Sequence, residues 1–318
     1  MNGEQYRALH ERAGWVERQD VGRLWVRGQD RRSYLHGLLT NDIEGLSAGT
    51  ASYAALLTAQ GRMITDMYVF ERGDVLLVTL PRPLAAAVRD RLEQFVFSED
   101  VQVEDATETT IQIGVYGPLA DKVVGDLPSG SPVTVMPSGD FGLHGFELIT
   151  TPDGKAALVN ALTEAGVVPA SQETVEVCRI EAGVPRFLVD MTEDTIPLEA
   201  GIEDRAISMT KGCYPGQEII IRVLHRGGGR VARRLVRIGL PAGAPVPQRG
   251  AALHGVAPAV GRYGEGRAIG VVTSAAESPA LGRPIALGYV HRDFTEPSTP
   301  VEVALGDGNQ VVGEVLGR

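Results

Sequence analysis

The chain has 318 residues, 43% hydrophobic and 22% charged, with a formal net charge of −10; this length suits two or three domains, and this composition excludes a largely disordered chain. Met1–Asp20 carries Glu4, Arg7, Glu11, Arg12, Glu17 and Arg18 with no apolar run, so neither a signal peptide nor a membrane-spanning helix is expected there, and a cytoplasmic location is. Two cysteines, Cys178 and Cys213, lack any C-x-x-C or close Cys/His company, which argues against a disulfide framework and against a metal or cluster ligand set.

In chain order, Val21–Arg27 reads as a strand, and Asp30 is placed to cap a helix through Leu39 with Leu35, Leu38 and Leu39 on its apolar face. Three strand-like runs follow near residues 50–57, 63–70 and 75–80, separated by turn signals at residues 59–62 and 72–74, which predicts an antiparallel meander. A helix after Pro83 places Leu84, Val88, Leu92 and Phe95 on one stripe, and residues 101–104 return as a strand. The pattern β-α-β-β-β-α-β then comes round again in shortened form: strand 111–116, a helix opening at Gly117-Pro118, strands 132–136 and 143–149, and a helix over residues 154–164. Ser171 is placed to cap a further helix to Ala182 that buries Val175, Cys178 and Ala182. Beyond residue 230, short apolar runs at 234–240, 268–273, 285–290 and 301–305, broken by Gly and Pro, suggest a small antiparallel barrel. The expected fold is α+β, with two interwoven split β-α-β (ferredoxin-like) portions, residues 1–105 and 106–228, and a C-terminal barrel, residues 229–318. Residues 226–318 hold 11 Arg against 7 Asp and Glu, leaving the strong acidity to the rest; nucleic acid is not an expected partner of such a body.

The stretch Lys211-Gly212-Cys213-Tyr214-Pro215-Gly216-Gln217-Glu218 collects a cation, a thiol, a phenol, an amide and a carboxylate in a glycine-flanked turn. A thiol near Lys211 and just ahead of a helix start has two influences that lower its pKa, while a free Cys equally serves as a small hydrophobe in a tight corner. Gln217 and Glu218 could orient a polar ligand, or form a helix first turn with Glu218 paired to Arg222. Arg222, Arg226, Arg230 and Arg233 belong to a local basic cluster, either a solvated face or a contact for a polyanionic tail. Asp66, after the turn at Gln60–Arg62, could hold a substrate amine or face water; Glu199 could meet the donor edge of a heterocycle or pair with Arg179, Arg186 or Arg205. Gly264–Gly270 lacks the spacing and context of a dinucleotide fingerprint, Gly227–Gly229 lacks the Lys of a P-loop, and no nucleophile elbow occurs.

The octapeptide matches in full the K-G-C-Y-x-G-Q-E hallmark of the YgfZ-type folate-binding proteins, relatives of the glycine cleavage T-protein, and supporting pieces stand in order: Arg32–Asp42, Gln60–Asp66, Arg179–Pro185, Pro197–Glu199, Gly270–Ser274 and Leu287–Val290. The resemblance implies α+β portions and a barrel around a central tetrahydrofolate channel, and an accessory role in iron-sulfur cluster assembly or repair, with client or assembly proteins as partners and no membrane. Carried over, Cys213 is the functional thiol, with Lys211 and Asp66 as further catalytic candidates. Glu199 is the pterin-binding carboxylate, with Tyr214, Gln217 and Glu218 around the ligand and Arg222 and Arg226 for a polyglutamate tail; no metal ligand is implied. T-proteins carry two successive aspartates where this chain has Thr65-Asp66, so their catalytic position falls on Thr65. Tetrahydrofolate-dependent aminomethyl transfer is therefore the alternative expectation.

Overall fold

The computed structural model describes residues 2–128, 131–226, 228–256, 268–306 and 308–317. The chain divides into two compact units, the first built from residues 1–59, 63–175 and 204–217 and the second from residues 60–62, 176–203 and 218–318.

The first unit opens with α1 (Gly3–Glu11), capped by the Asn2 side chain accepting from the Glu4 N–H at 2.9 Å, and β1 (Gly14–Glu17). Its first sheet contains β2 (Val21–Arg27), β3 (Ala51–Leu57), β4 (Met63–Glu71), β5 (Leu76–Pro81) and β6 (Gln102–Asp105) in the antiparallel order β3-β4-β5-β2-β6. Two helices, α2 (Arg31–Leu38) and α3 (Ala85–Glu93), cover it; Leu35, Leu39, Val88 and Leu92 meet Leu24, Val26, Met67, Val69 and Val78 in one core. Asp30 does not cap α2 with its side chain, which instead accepts from the Asp100 N–H at 2.8 Å. Phe95 lies beyond the last turn of α3 and is 42% exposed, so the apolar stripe ends at Leu92.

The second sheet combines β7 (Ile111–Tyr116), β8 (Thr134–Ser138), β9 (Gly145–Thr150) and β10 (Val168–Pro169) with β1, in the order β10-β1-β7-β9-β8. Here α4 (Ala120–Gly125) and α5 (Lys155–Glu164) pack on Ile113, Val115 and Leu148. The interweaving is literal: β1 pairs antiparallel with β7 and parallel with β10, whereas β2, three residues after β1 ends, belongs to the other sheet. Phe70 and Leu77 of the first sheet pack on Met136 and Ile149 of the second. The helix α6 (Gln172–Ala182) is capped as expected, the Ser171 hydroxyl accepting from the Thr174 N–H at 3.2 Å, but Ala182 at its end is exposed.

In the second unit, β11 (Arg233–Gly239), β12 (Ala252–Gly255), β13 (Ala268–Ser278), β14 (Arg283–His291), β15 (Pro300–Ala304) and β16 (Gln310–Gly317) close into a barrel in the order β11-β14-β13-β12-β15-β16. Closure leaves no unpaired sheet edge, and Val236, Ile238, Leu253, Val272, Val290, Phe294 and Val303 fill the interior. Arg179, buried, donates to Asp190 at 2.6 Å, to Ser274 at 2.8 Å and to the Val184 carbonyl at 2.8 Å, which fixes the segment after α6 on β13. No helix among the described residues is long and apolar enough to cross a membrane. Most of the Gly264–Gly270 stretch and Gly227 lie outside the described residues.

Candidate functional site

The two-residue period of β4 decides what its carboxylate meets. Met63, Thr65, Met67 and Val69 are buried on one face. Asp66 and Tyr68 are on the other, which Phe70 presses against the second sheet. Thr65 is fully buried, and its hydroxyl donates to the Asp66 carbonyl at 2.9 Å. The carboxylate that reaches polar surroundings is therefore that of Asp66.

The hairpin register sets Tyr53 opposite Tyr68 and Ala55 opposite Asp66, so Tyr53 is the diagonal neighbour of Asp66. Its hydroxyl donates to Asp66 Oδ2 at 2.7 Å, and its ring lies 4.9 Å from that of Tyr68. The helix α7 (Pro197–Ala200) leads through Gly201, in a left-handed cap at φ 72°, to α8 (Glu203–Ala206); Arg205 on α8 places its guanidinium 4.3 Å from the centre of the Tyr53 ring. The Asn41 side-chain amide holds α8 by donating to the Arg205 carbonyl at 2.9 Å and holds β3 by donating to the Tyr53 carbonyl at 2.8 Å. Burial pushes the Asp66 carboxyl up to about 6, against the Tyr53 hydrogen bond and the Arg205 charge, which both favour the anion. A half-buried carboxyl of that acidity exchanges a proton near neutral pH and stabilises positive charge developing beside it.

A second layer supports this group. Burial, and then the Asp140 charge, raises the Tyr68 phenol well above its usual value, and Asp140 accepts from Arg18 Nη1 at 3.0 Å. Arg18 also donates to Glu147 at 2.6 Å, to Tyr116 at 3.0 Å and to Asp20 at 3.1 Å; Tyr116 in turn donates to Glu147. With three carboxylates around it, the Arg18 guanidinium is held charged despite full burial.

The octapeptide is built differently from its sequence expectation. Lys211 sends its ammonium to the carbonyls of His36, Leu39 (2.5 Å) and Asn41 (3.2 Å), where it closes the C-terminal end of α2 and complements the negative pole of that helix. Burial lowers it to about 8. Engaged there, and 5.3 Å from the centre of the Tyr214 ring, it anchors the turn. Tyr214 is buried at 6% exposure with no partner for its hydroxyl among the described residues, and burial raises it to about 12. Cys213 between them is exposed, whereas Cys178 is buried and pushed up to about 12. The corner-filling role thus belongs to Cys178. The chain continues into α9 (Gln217–Ile221), on which Gln217 is half-buried and Glu218 exposed; no ion pair joins Glu218 to an exposed Arg222 among the described residues. The Arg226 side chain lies outside the described residues.

In the second unit Glu199, in the first turn of α7, accepts from Arg233 Nε and Nη2, both at 3.2 Å. Its ion-pair partner is Arg233, not Arg179, Arg186 or Arg205. Arg233 also lies 4.7 Å from the centre of the Tyr289 ring. Tyr53, Tyr68, Asp140 and Arg18 are not candidates from sequence, and Arg205 is named there only as a partner for Glu199. Tyr53 was within reach of the predicted meander, because fixing the turn fixes the register; Arg205 approaches β3 from about 150 residues away.

Residues 2–211 match the GCVT N-terminal domain, and residues 233–318 match the glycine cleavage T-protein C-terminal barrel domain. The aminomethyltransferase of Rubrobacter xylanophilus is 31% identical over 303 residues, covering 90% of this chain and 78% of that protein. The aminomethyltransferase of a Nostoc species is 28% identical over 324 residues, covering 95% and 83%. The crystal structure of the glycine cleavage system aminomethyltransferase T from Bartonella henselae superposes with a TM-score of 0.86 over 99% of this chain and 88% of that one at 22% identity, a likeness of fold. With both domains matched in order along nearly its whole length, the chain belongs to the glycine cleavage T-protein family.

Proposed function

We propose that the chain binds tetrahydrofolate and carries out one-carbon transfer of the aminomethyltransferase kind, with Asp66 as the acid-base and electrostatic group. The observation that carries this reading is Asp66 itself, on the polar face of β4, oriented by Tyr53 and held at about 6. The similar proteins named aminomethyltransferase support it. Glu199 is a proposed acceptor for the N–H edge of a pterin: one carboxylate oxygen is spent on Arg233, and the other accepts no hydrogen bond among the described residues. Bound tetrahydrofolate supplies the amines that accept a one-carbon unit. Tyr53 fixes Oδ2 of Asp66, leaving Oδ1 to take or return a proton and to offset positive charge on a reacting amine. Arg222 and Arg226 are the proposed contacts for a polyglutamate tail. The test is formation of methylenetetrahydrofolate from an aminomethyl donor under single-turnover conditions, alongside equilibrium binding of tetrahydrofolate. Turnover lost at least 100-fold in Asp66→Asn with folate affinity kept supports the assignment; wild-type protein that binds no folate overturns it.

A second reading has its own observation. Cys213 is exposed within the complete K-G-C-Y-x-G-Q-E motif of the YgfZ type, and its neighbours Lys211 and Tyr214 are anchored. This favours thiol chemistry serving iron-sulfur client or assembly proteins. Complementation of a strain lacking the protein separates the two: Cys213→Ala fails and Asp66→Asn succeeds under this reading, and the reverse holds under the first.

A further inference from the structure

The chain treats its most buried guanidinium groups alike. Arg18 donates to Asp20, Asp140, Glu147 and Tyr116. Arg23 donates to Thr110 at 2.7 Å and to the carbonyls of Val21, Thr107 and Thr110. Arg179 donates to Glu176, Val184, Asp190 and Ser274. Arg205 departs from this pattern. It is half-buried, its ring contact is to Tyr53, and among the described residues its guanidinium donates no hydrogen bond and joins no ion pair. None of its nitrogens is among the buried side-chain atoms left without a partner, so its donors stay open to solvent and to a ligand.

Asp66 is the nearby opposite charge, but Tyr53 stands between. The tyrosine ring lies under Arg205 at 4.3 Å while its hydroxyl occupies Asp66 Oδ2 at 2.7 Å, so the carboxylate and the guanidinium feel each other without forming an ion pair. Asp140, the other carboxylate facing this group, is engaged by Arg18. What remains is an anion and a planar cation held apart by one aromatic ring. Planar guanidinium donors match a carboxylate in two-point fashion, and a carboxylate with a free oxygen matches an ammonium.

We propose that Asp66 and Arg205 form a two-point site for a small zwitterion of the α-amino acid class, the ammonium on Asp66 and the carboxylate on Arg205. The inference rests on the reading of Asp66 as the reacting carboxylate and adds a substrate class to it: an amino compound carrying its own carboxylate. Arg205 is then the specificity-determining residue, since an amine lacking the carboxylate leaves its donors unpaired.

The experiment titrates the full-length protein with glycine, the smallest such zwitterion, and with glycinamide, which keeps the ammonium and lacks the carboxylate, by calorimetry without folate. The wild type is expected to prefer glycine at least 10-fold, Arg205→Gln to abolish the preference, and Arg205→Lys to retain part of it; thermal melts confirm that each variant is folded. Equal affinities in the wild type, no binding of either compound at 20 mM, or a glycine preference surviving in Arg205→Gln overturns the proposal. Tetrahydrofolate and tetrahydropterin, which lacks the glutamate, are titrated in parallel. If Arg205→Gln instead erases a preference for the glutamate-bearing compound and leaves the glycine preference intact, Arg205 serves the folate and the proposal is wrong. Wild-type protein that binds glycine but no folate keeps this proposal and refutes the function argued above.

Discussion

Asp66→Asn is expected to make the protein more stable at pH 7.5 and to have little effect at pH 4. The carboxyl is held at about 6 in the fold against an ordinary 3.8, so between those values the folded state binds more protons than the unfolded chain. Stability linked to this group is therefore full below pH 4 and is lost as pH rises toward 6 and beyond. A pKa unit is worth about 1.4 kcal/mol, so the full rise corresponds to about 3 kcal/mol at pH 7.5. Solvent at the open edge of the carboxylate screens part of this, leaving about 1.5–2 kcal/mol. Asparagine keeps an oxygen for the Tyr53 hydroxyl, so the substitution removes the charge and spares the hydrogen bond. Urea denaturation of both proteins at pH 4, 6 and 7.5, followed by far-UV dichroism, measures the difference. A gain that grows with pH, alongside lost turnover, identifies a carboxylate kept at a cost to stability for its chemistry. A variant that is equally or less stable at pH 7.5, or a difference that does not change with pH, refutes the reasoning.

Three further outcomes follow from the same geometry. A thiol reagent added to native protein should titrate one cysteine, Cys213, and Cys178 only after denaturant is added, because Cys178 is buried and burial keeps it protonated; Cys213→Ala should abolish the native signal. Lys211→Met leaves the carbonyls of His36, Leu39 and Asn41 without their shared donor and should destabilise the protein by about 2 kcal/mol, with amide exchange faster in the last turn of α2. Arg18→Ala strands Glu147 in the interior, leaves the partly exposed Asp140 without its ion pair, and should destabilise by about 3–5 kcal/mol, seen as a lower urea midpoint; Arg18→Ala with Glu147→Gln should recover part of the loss.

The parts of the fold that sequence made legible are those with a strong period. Residues 21–105 alternate or repeat clearly enough that β2 and the meander β3-β4-β5 fall within a residue or two of their expected places. The helix α1 was not visible because it buries only Ala8 and Leu9 and shows a charged face to solvent. The strands β12, four residues long, and β16, interrupted by Gly313, carry too little pattern to stand out before the barrel closes around them. Within the site, composition located Asp66, Lys211 and Cys213 but not what each does. Whether Lys211 faces the thiol or a helix end depends on contacts about 170 residues apart in sequence, as does the approach of Arg205 to Tyr53. Local spacing holds no record of such long-range contacts, and Glu199 shows the limit from the other side, being correctly read as able to pair and given the wrong partners.

The placement of β1 has a consequence for how the polypeptide assembles as it emerges from the ribosome. Residues 21–105 contain every strand of the first sheet and can begin pairing early, but β1 must wait with both edges open until β7 and then β10 arrive. Emerging at about 5–20 residues per second, residue 168 trails residue 14 by roughly 8 to 30 seconds. Through that interval a short strand bearing Trp15 and Val16 depends on the first sheet, tethered through residues 18–20, to keep it near its eventual place. Closing a loop of that length is slow, so the nascent chain is most exposed to wrong pairing before Val168 appears. Deleting the first 17 residues should leave the early sheet able to form and undo the one completed last.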